Sequence, residues 1–156
     1  MDITTLAAWG EFLGGIAVVV SLVYLAAQIR INTKMVRASN AGDLQMATNG
    51  FSAMTVDAET ASLHLRGLND FSGLGVVDQV RFNGLMSQLL NPISQAFALH
   101  QQGLLDRAAM ESQAKTVPSL FHNMGARQWW EANQHWWPND FREFVQQIRV
   151  ASATAP

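Results

Sequence analysis

The sequence predicts an all-α protein, with one N-terminal transmembrane helix followed by a cytoplasmic bundle of four or five helices. Three observations predict this fold class: a long uncharged apolar run near the N-terminus, apolar residues spaced three and four apart beyond it, and no sustained strand-like alternation. The predicted division is a transmembrane helix over residues 1–31, a helical domain over 32–150 and a frayed tail over 151–156.

The first predicted element is the apolar run from Phe12 to Ile29, eighteen consecutive residues without a charge, which ends at Arg30. As a helix this run is about 27 Å long, close to the roughly 30 Å hydrocarbon core of a bilayer. A cleavable signal peptide fits poorly, because it begins with basic residues and residues 1–29 carry only Asp2 and Glu11 as charges. The buried core helix of a soluble protein is the other alternative, which the interspersed Gly, Ser and Gln residues allow.

The basic residues around the run predict its orientation. Arg30, Lys34 and Arg37 follow the run, and no Lys or Arg precedes it. Since basic residues concentrate on the cytoplasmic side of a membrane helix, residues 32–156 are expected in the cytoplasm and the N-terminus outside.

One face of this helix is built of small residues. Gly10, Gly14, Ala17 and Ser21 recur at spacings of four, three and four, which places them in one stripe. In lipid, such a stripe lets two helix backbones approach closely. We therefore expect helix packing or oligomerisation here, with a second copy or with another membrane protein.

The next predicted helix spans residues 44–68, where apolar residues recur at helical spacing, with Gly50 as a weak point. A loop rich in Gly, Asn and Ser follows over residues 69–75. The stripe of that predicted helix consists of Leu44, Ala47, Phe51, Met54, Ala58, Ala61, Leu65 and Leu68.

A second long stripe follows, and Pro92 within it predicts a kink or break near residue 91. Gly103 suits the C-terminal cap of this helix, and Asp106 suits the N-cap of a short helix over residues 107–115. The stripe itself consists of Phe82, Met86, Leu89, Ile93, Phe97, His100 and Leu104.

The C-terminal third contains Pro118 as a further interruption and two predicted helices, over residues 126–136 and 140–150. Asn139 or Asp140 is the expected N-cap of the last helix. The apolar face of that helix consists of Phe141, Phe144, Val145 and Ile148.

Four of the five tryptophans lie within residues 127–137, the most unusual stretch of the chain. Aromatic and Arg side chains are enriched in binding surfaces, so this stretch is a candidate ligand pocket, partner surface or membrane-interface contact. The alternative interpretation is that this stretch is part of the hydrophobic core, anchored by its large rings. The candidate surface consists of Arg127, Trp129, Trp130, His135, Trp136 and Trp137.

Composition excludes several classes of site. The chain has no cysteine, which excludes disulfides and thiolate chemistry, and a net charge of −2 disfavours a nucleic-acid partner. Glu131 and His135 share a helix face, but no Glu-x-x-His motif accompanies them, so no metal site is expected. His100 is expected to be a hydrogen-bonded core residue. No catalytic residue and no cofactor are predicted, because no nucleophile, phosphate-loop or dinucleotide motif is present.

The segment Ser21–Thr33, with the sequence SLVYLAAQIRINT, resembles the N-terminal pattern of a family of uncharacterised bacterial membrane-anchored helical proteins. The pieces Gln102–Asp106 and Arg127–Trp130 are similar to parts of the same family. The resemblance implies one N-terminal membrane helix and a helical remainder. Together with the predicted span and orientation, we expect the protein in the bacterial inner membrane. It implies no activity and no catalytic residue.

These observations together predict a non-catalytic integral membrane protein, an accessory or scaffolding subunit of a homo- or hetero-oligomeric membrane complex. A homo-oligomeric pore is a close variant. The alternatives are a ligand-binding or sensory module, whose pocket the tryptophans line with His100 or His135, and a soluble helical protein whose first helix is its core.

Overall fold

The computed structural model describes residues 2–153, and this range is helical throughout its regular elements, without a strand. The predicted all-α class is therefore confirmed. The elements are α1 (Ile3–Met54), α2 (Ala58–Asn69), α3 (Val76–Gln101), α4 (Arg107–Ala114), α5 (Thr116–His122), α6 (Met124–Asn133), a 3-10 turn (Gln134–Trp136) and α7 (Asn139–Ala153).

The chain forms two compact units, one ending at Ala38 and the other beginning at Ser39. We call them the N-terminal unit and the helical unit. The helical unit contains the end of α1 and six further α-helices among the described residues, more than the four or five expected.

The expected helix over residues 44–68 is wrong, because α1 ends at Met54 and α2 begins at Ala58. Asp57 causes the restart: its backbone is extended, and its carboxylate accepts hydrogen bonds from the backbone N and the hydroxyl of Thr60 at 2.8 and 2.9 Å. These bonds also hold the pKa of Asp57 below its ordinary value. The buried positions of α2 are Leu63 and Gly67, whereas Leu65 is exposed.

The face expected for the second long stripe is confirmed in α3, where Phe82, Met86, Ile93 and Phe97 are all buried. The expected break at Pro92 does not occur, since α3 continues through it to Gln101. Proline has no backbone N–H, so the carbonyl of Gln88, four residues earlier, lacks its helical hydrogen bond. Gln88 is exposed, so water can bond to that carbonyl instead.

The expected cap at Gly103 is confirmed. Gly103 has a φ of +70°, its N donates to the carbonyl of His100 at 2.9 Å, and the N of Leu104 donates to the carbonyl of Leu99 at 2.8 Å. This pair of bonds is a Schellman motif, which requires a left-handed residue and so favours glycine. Asp106 then takes the N-cap position of α4, as predicted.

The C-terminal third is divided more finely than predicted. Pro118 lies in the first turn of α5, where its missing N–H removes no bond of that helix. The preceding helix α4 ends at Ala114, four residues before Pro118, so the expected interruption coincides with the boundary between α4 and α5. The expected face of α7 is confirmed, with Phe141 and Val145 buried. In place of the expected caps, Asn139 is already helical and the carbonyl of Pro138 accepts from the N of Arg142. Residues 151–153 of the expected tail are helical, and 154–156 lie outside the described residues.

Two glycines set how closely the helices of the helical unit approach. A methyl group on Gly67 of α2 would collide with the ring of Phe82 on α3. One on Gly125 of α6 would collide with the backbone carbonyl of Gly67. Helices α2 and α6 therefore meet with almost no side chain between them, and the Phe82 ring of α3 lies directly against the α2 backbone.

Candidate functional site

The candidate sites fall in different units, and the first is the apolar run of the N-terminal unit. Within Ala7–Met54, an 18-residue window has a mean hydropathy of 2.2 and no buried residue. By length and composition this is the one helix among the described residues that is able to cross a membrane. Its large side chains are uncovered on every side of the helix, from Phe12 (60% exposed) to Val19 (60%) and Ile29 (58%).

The small-residue stripe lies on this same uncovered helix. Gly10, Gly14, Ala17 and Ser21 are all exposed, and a methyl group built on either glycine would meet nothing within 4 Å. The stripe is therefore open at both glycines, where no described residue comes within 4 Å of an added methyl group.

The polar side chains of the apolar run form their hydrogen bonds within the helix. The hydroxyl of Ser21 donates to the carbonyl of Ala17 at 2.8 Å, and the amide of Gln28 donates to the hydroxyl of Tyr24 at 3.0 Å. Both pairs are four residues apart, so they share a face of the helix. The spacing of four residues is visible in the sequence, but neither bond was predicted from it.

The tryptophan-rich stretch belongs to the helical unit, and most of it is core. Trp129, Trp130 and Trp137 are buried, and their rings contact one another, with centroids 5.5 Å apart between Trp129 and Trp137 and between Trp130 and Trp137. The indole N–H of Trp129 donates to the side-chain oxygen of Asn83 on α3 at 2.8 Å. These three rings therefore belong to the hydrophobic core and anchor α6 to its neighbours, which is the alternative that the sequence analysis gave for this stretch.

The other members of the candidate surface lie elsewhere. Trp136 is 49% exposed on the 3-10 turn, where its ring contacts that of His135, which is also exposed. Arg127 points to α5, and its Nη1 donates to the carbonyls of Phe121 and His122, each at 2.9 Å. The six predicted residues thus divide into a buried ring cluster, an exposed aromatic pair and one capping arginine.

Arg127 lines a cleft of about 350 Å³ that the sequence analysis did not find. Phe121 of α5 and Arg149 of α7 line the same cleft, and the Cζ of Arg149 lies 4.9 Å from the centre of the Phe121 ring. No local motif announces this cleft, because its residues come from three helices.

The histidines have separate environments. His100 is half-buried, and its Nδ1 lies 3.1 Å from the carbonyl of Leu105, which confirms the expected hydrogen-bonded role. His64 lies between the rings of Phe51 and Phe82, with centroids 5.6 and 6.0 Å away, and its Nδ1 is buried without a hydrogen-bond partner in the described part of the chain. Burial lowers the pKa of His64 below its ordinary value of 6.5.

Comparisons of the chain with known protein families, with curated proteins and with solved structures gave no match.

Proposed function

We propose that this chain is a single-span membrane protein with a cytoplasmic helical domain, acting as a non-catalytic accessory or scaffolding subunit of a membrane complex. The observation that carries the proposal is the apolar run Phe12–Ile29, which is uncovered on all sides of its helix. A helix that is apolar all round is typical of a membrane span or of the centre of a large assembly.

The energetics favour a bilayer as the cover. Between Phe12 and Ile29, eleven large apolar side chains are exposed. Leaving each of them in water costs about 1.5–3 kcal/mol relative to burial, so the total is on the order of 20 kcal/mol. A bilayer covers every side of such a helix at once, whereas a protein partner packed on one face leaves the other side chains in water.

The hydrogen bonds of the run also support a lipid environment. Lipid offers no partner to polar groups, so groups within a span must be satisfied inside the protein. Ser21 and Gln28 each form one such bond within the helix, to the carbonyl of Ala17 and to the hydroxyl of Tyr24.

The proposed orientation places the helical unit in the cytoplasm, because Arg30, Lys34 and Arg37 follow the span. The absence of cysteine makes this testable with single-cysteine variants. In intact cells, a membrane-impermeant maleimide should label Thr4→Cys and should label Ser62→Cys only after lysis. The reverse labelling would contradict the orientation, and labelling of both in intact cells would contradict the membrane span.

The proposed scaffolding role depends on association through the small-residue stripe. Gly14→Leu should dissociate the complex that detergent extracts, because the larger side chain separates the helix backbones. Gly15→Leu is the matched control, since Gly15 is the neighbouring glycine, is equally open and lies off the stripe. Native mass spectrometry in detergent measures the result, and equal masses for both variants and the wild type would refute the role of the stripe.

A second candidate function, favoured by the exposed ring of Trp136, is ligand binding or sensing at the aromatic stretch. A hydrophobic ligand bound there should change the tryptophan fluorescence, and Trp136→Phe should abolish the change. An identical response in that variant would contradict a site at Trp136.

A further inference from the structure

A cleft between α4 and α7 combines an apolar floor with a charged rim. Its volume is about 420 Å³, within the roughly 300–1,000 Å³ that is typical of small-molecule sites. The lining comes from α4, from α7, from the end of α3 and from Lys115 directly after α4. The cleft therefore lies wholly within the helical unit.

Four apolar side chains on two helices form the floor. Met110 and Ala114 lie four residues apart on α4, so they share one face of that helix. Phe144 and Ile148 are spaced in the same way on α7. The α4 pair is buried, whereas the α7 pair is half-buried. Each pair extends about 6 Å along its helix, so the floor is an elongated apolar strip.

Contacts within the chain hold this floor in place. The ring of Phe144 stacks on the ring of Phe97 of α3, with their centroids 4.6 Å apart. His100, at the end of α3, also lines the cleft, and its Nδ1 lies 3.1 Å from the carbonyl oxygen of Leu105. The floor therefore needs little further ordering when a ligand binds.

The rim carries one positive charge in excess. The Nε of Arg107 lies 2.7 Å from a carboxylate oxygen of Glu111, so these two charges cancel. Lys115 is exposed, and its ammonium group forms no ion pair with a described carboxylate. With His100 neutral, the cleft has one net positive charge, which Lys115 provides at one end of the apolar strip.

We propose that this cleft binds a fatty acid, with the acyl chain on the apolar floor and the carboxylate at Lys115. A linear chain fits an elongated strip, and one carboxylate neutralises the one excess charge of the rim. A protein partner fits less well. Stable interfaces bury roughly 800 Å² on each side, and the floor offers only four side chains, two of them already buried. The proposal uses residues of the helical unit alone, so it does not depend on the proposed membrane span.

The test is protection of a cysteine placed in the cleft, in a chain that has no cysteine of its own. The full chain with Ile148→Cys is kept in a nonionic detergent, and its modification by a maleimide is timed with and without dodecanoate. At about ten times its dissociation constant, dodecanoate should slow this modification by about tenfold. Gln147→Cys is the matched control, since Gln147 is exposed on the same helix and does not line the cleft. Its rate should not change.

Two further measurements test the charge of the head group. Dodecyltrimethylammonium has the same chain length and the opposite charge, so it should protect Ile148→Cys less than dodecanoate does at equal concentration. Lys115→Gln, added to Ile148→Cys, should raise the half-protective concentration of dodecanoate by about two- to fivefold, as is typical of an exposed charge pair. Lys34→Gln is the control, because Lys34 is the other lysine of the chain and lies in the N-terminal unit. It should leave that concentration unchanged.

An unchanged rate for Ile148→Cys in dodecanoate would overturn the proposal, as would equal slowing of both cysteines, which indicates an effect of the micelle. Equal protection by the two amphiphiles, or no effect of Lys115→Gln, would overturn it as well, because the carboxylate would then not lie at Lys115. Protection that increases with protein concentration without dodecanoate would indicate a second copy in the cleft and would also contradict a fatty-acid site.

Discussion

The apolar run Phe12–Ile29 and helix α3 are both long and rich in apolar residues, yet they differ in what covers them. In α3 the large apolar residues from Phe82 to Phe97 are buried or half-buried, with Phe82, Met86 and Leu90 fully buried, and only the valines of its first turns are exposed. In the run, apolar residues surround the helix, and none of the 18-residue window is buried. The difference teaches that the distribution of apolar residues around a helix, more than their number, indicates whether the chain itself supplies the cover.

The same contrast applies to the glycines of the two units. Gly67 and Gly125 are in contact with neighbouring helices, whereas Gly14 and Gly15 face open space. The helical unit therefore uses Gly67 and Gly125 for internal packing, although other glycines of this unit, such as Gly84, are open. None of the glycines of the N-terminal unit is in such a contact among the described residues.

The largest expected effect comes from placing charge in the apolar run. Val19→Lys combined with Val23→Lys should disfavour membrane insertion by about 5–7 kcal/mol, because each Lys near the centre of a span costs about 2.5–3.5 kcal/mol. Flotation of membranes on a sucrose gradient measures the loss. Met46→Lys combined with Leu65→Lys is the control, since these residues are equally exposed in the helical unit. Comparable flotation of both double variants would contradict the difference between the units.

Alanine substitutions of a buried and an exposed tryptophan, seven residues apart, test which part of the aromatic stretch belongs to the core of the helical unit. Trp129→Ala should lower the free energy of unfolding by about 3–5 kcal/mol, because it empties a buried site and leaves the Asn83 side chain without its donor. Trp136→Ala should lower it by less than about 1 kcal/mol, since that ring is half exposed. Denaturation followed by circular dichroism gives both values, and equal losses would contradict the described burial.

Alanine substitutions at one packed and one open glycine should have different effects on stability. Gly125→Ala should destabilise the helical unit by about 1–3 kcal/mol, because the methyl group collides with the α2 backbone, which has little freedom to move. Gly14→Ala should leave the unfolding of the helical unit unchanged, since its methyl group meets nothing. Urea midpoints for the two variants test this, and a similar shift in both would remove the distinction.

The smallest expected effect is the pH dependence from His64, for which burial lowers the pKa. The unfolded chain then binds a proton at His64 more readily than the folded chain does. The free energy of unfolding is therefore unaffected by this proton above about pH 6.5 and decreases as the pH falls below that value. Relative to the wild type, His64→Gln should flatten the decline of stability between about pH 7 and pH 5. Parallel curves for the two proteins would exclude His64 as the cause.

The sequence predicted the elements whose signals are local. The buried face of α3, the left-handed cap at Gly103 and the N-cap position of Asp106 all follow from periodicity or from the conformational preference of one residue. Asp57 was missed because apolar spacing continued across it and concealed the cap.

The remaining features depend on contacts between distant residues. Nothing near Gly125 in the sequence indicates that it meets Gly67, and nothing near Arg127 indicates that Arg149 lines the same cleft. The helix predicted over residues 126–136 is also wrong at its end, because α6 ends at Asn133 and the 3-10 turn that follows leaves Trp136 exposed. Such pairings are set by the tertiary fold, which helical periodicity does not specify.

The most direct test of the central claim is fractionation of cells that express the full chain, with an alkaline carbonate wash before extraction. We expect the protein to stay with the washed membranes, to dissolve only in detergent and then to have a native mass above the 17.1 kDa of one chain. A monodisperse protein in detergent-free buffer would contradict it and would make residues 12–29 part of a soluble interface.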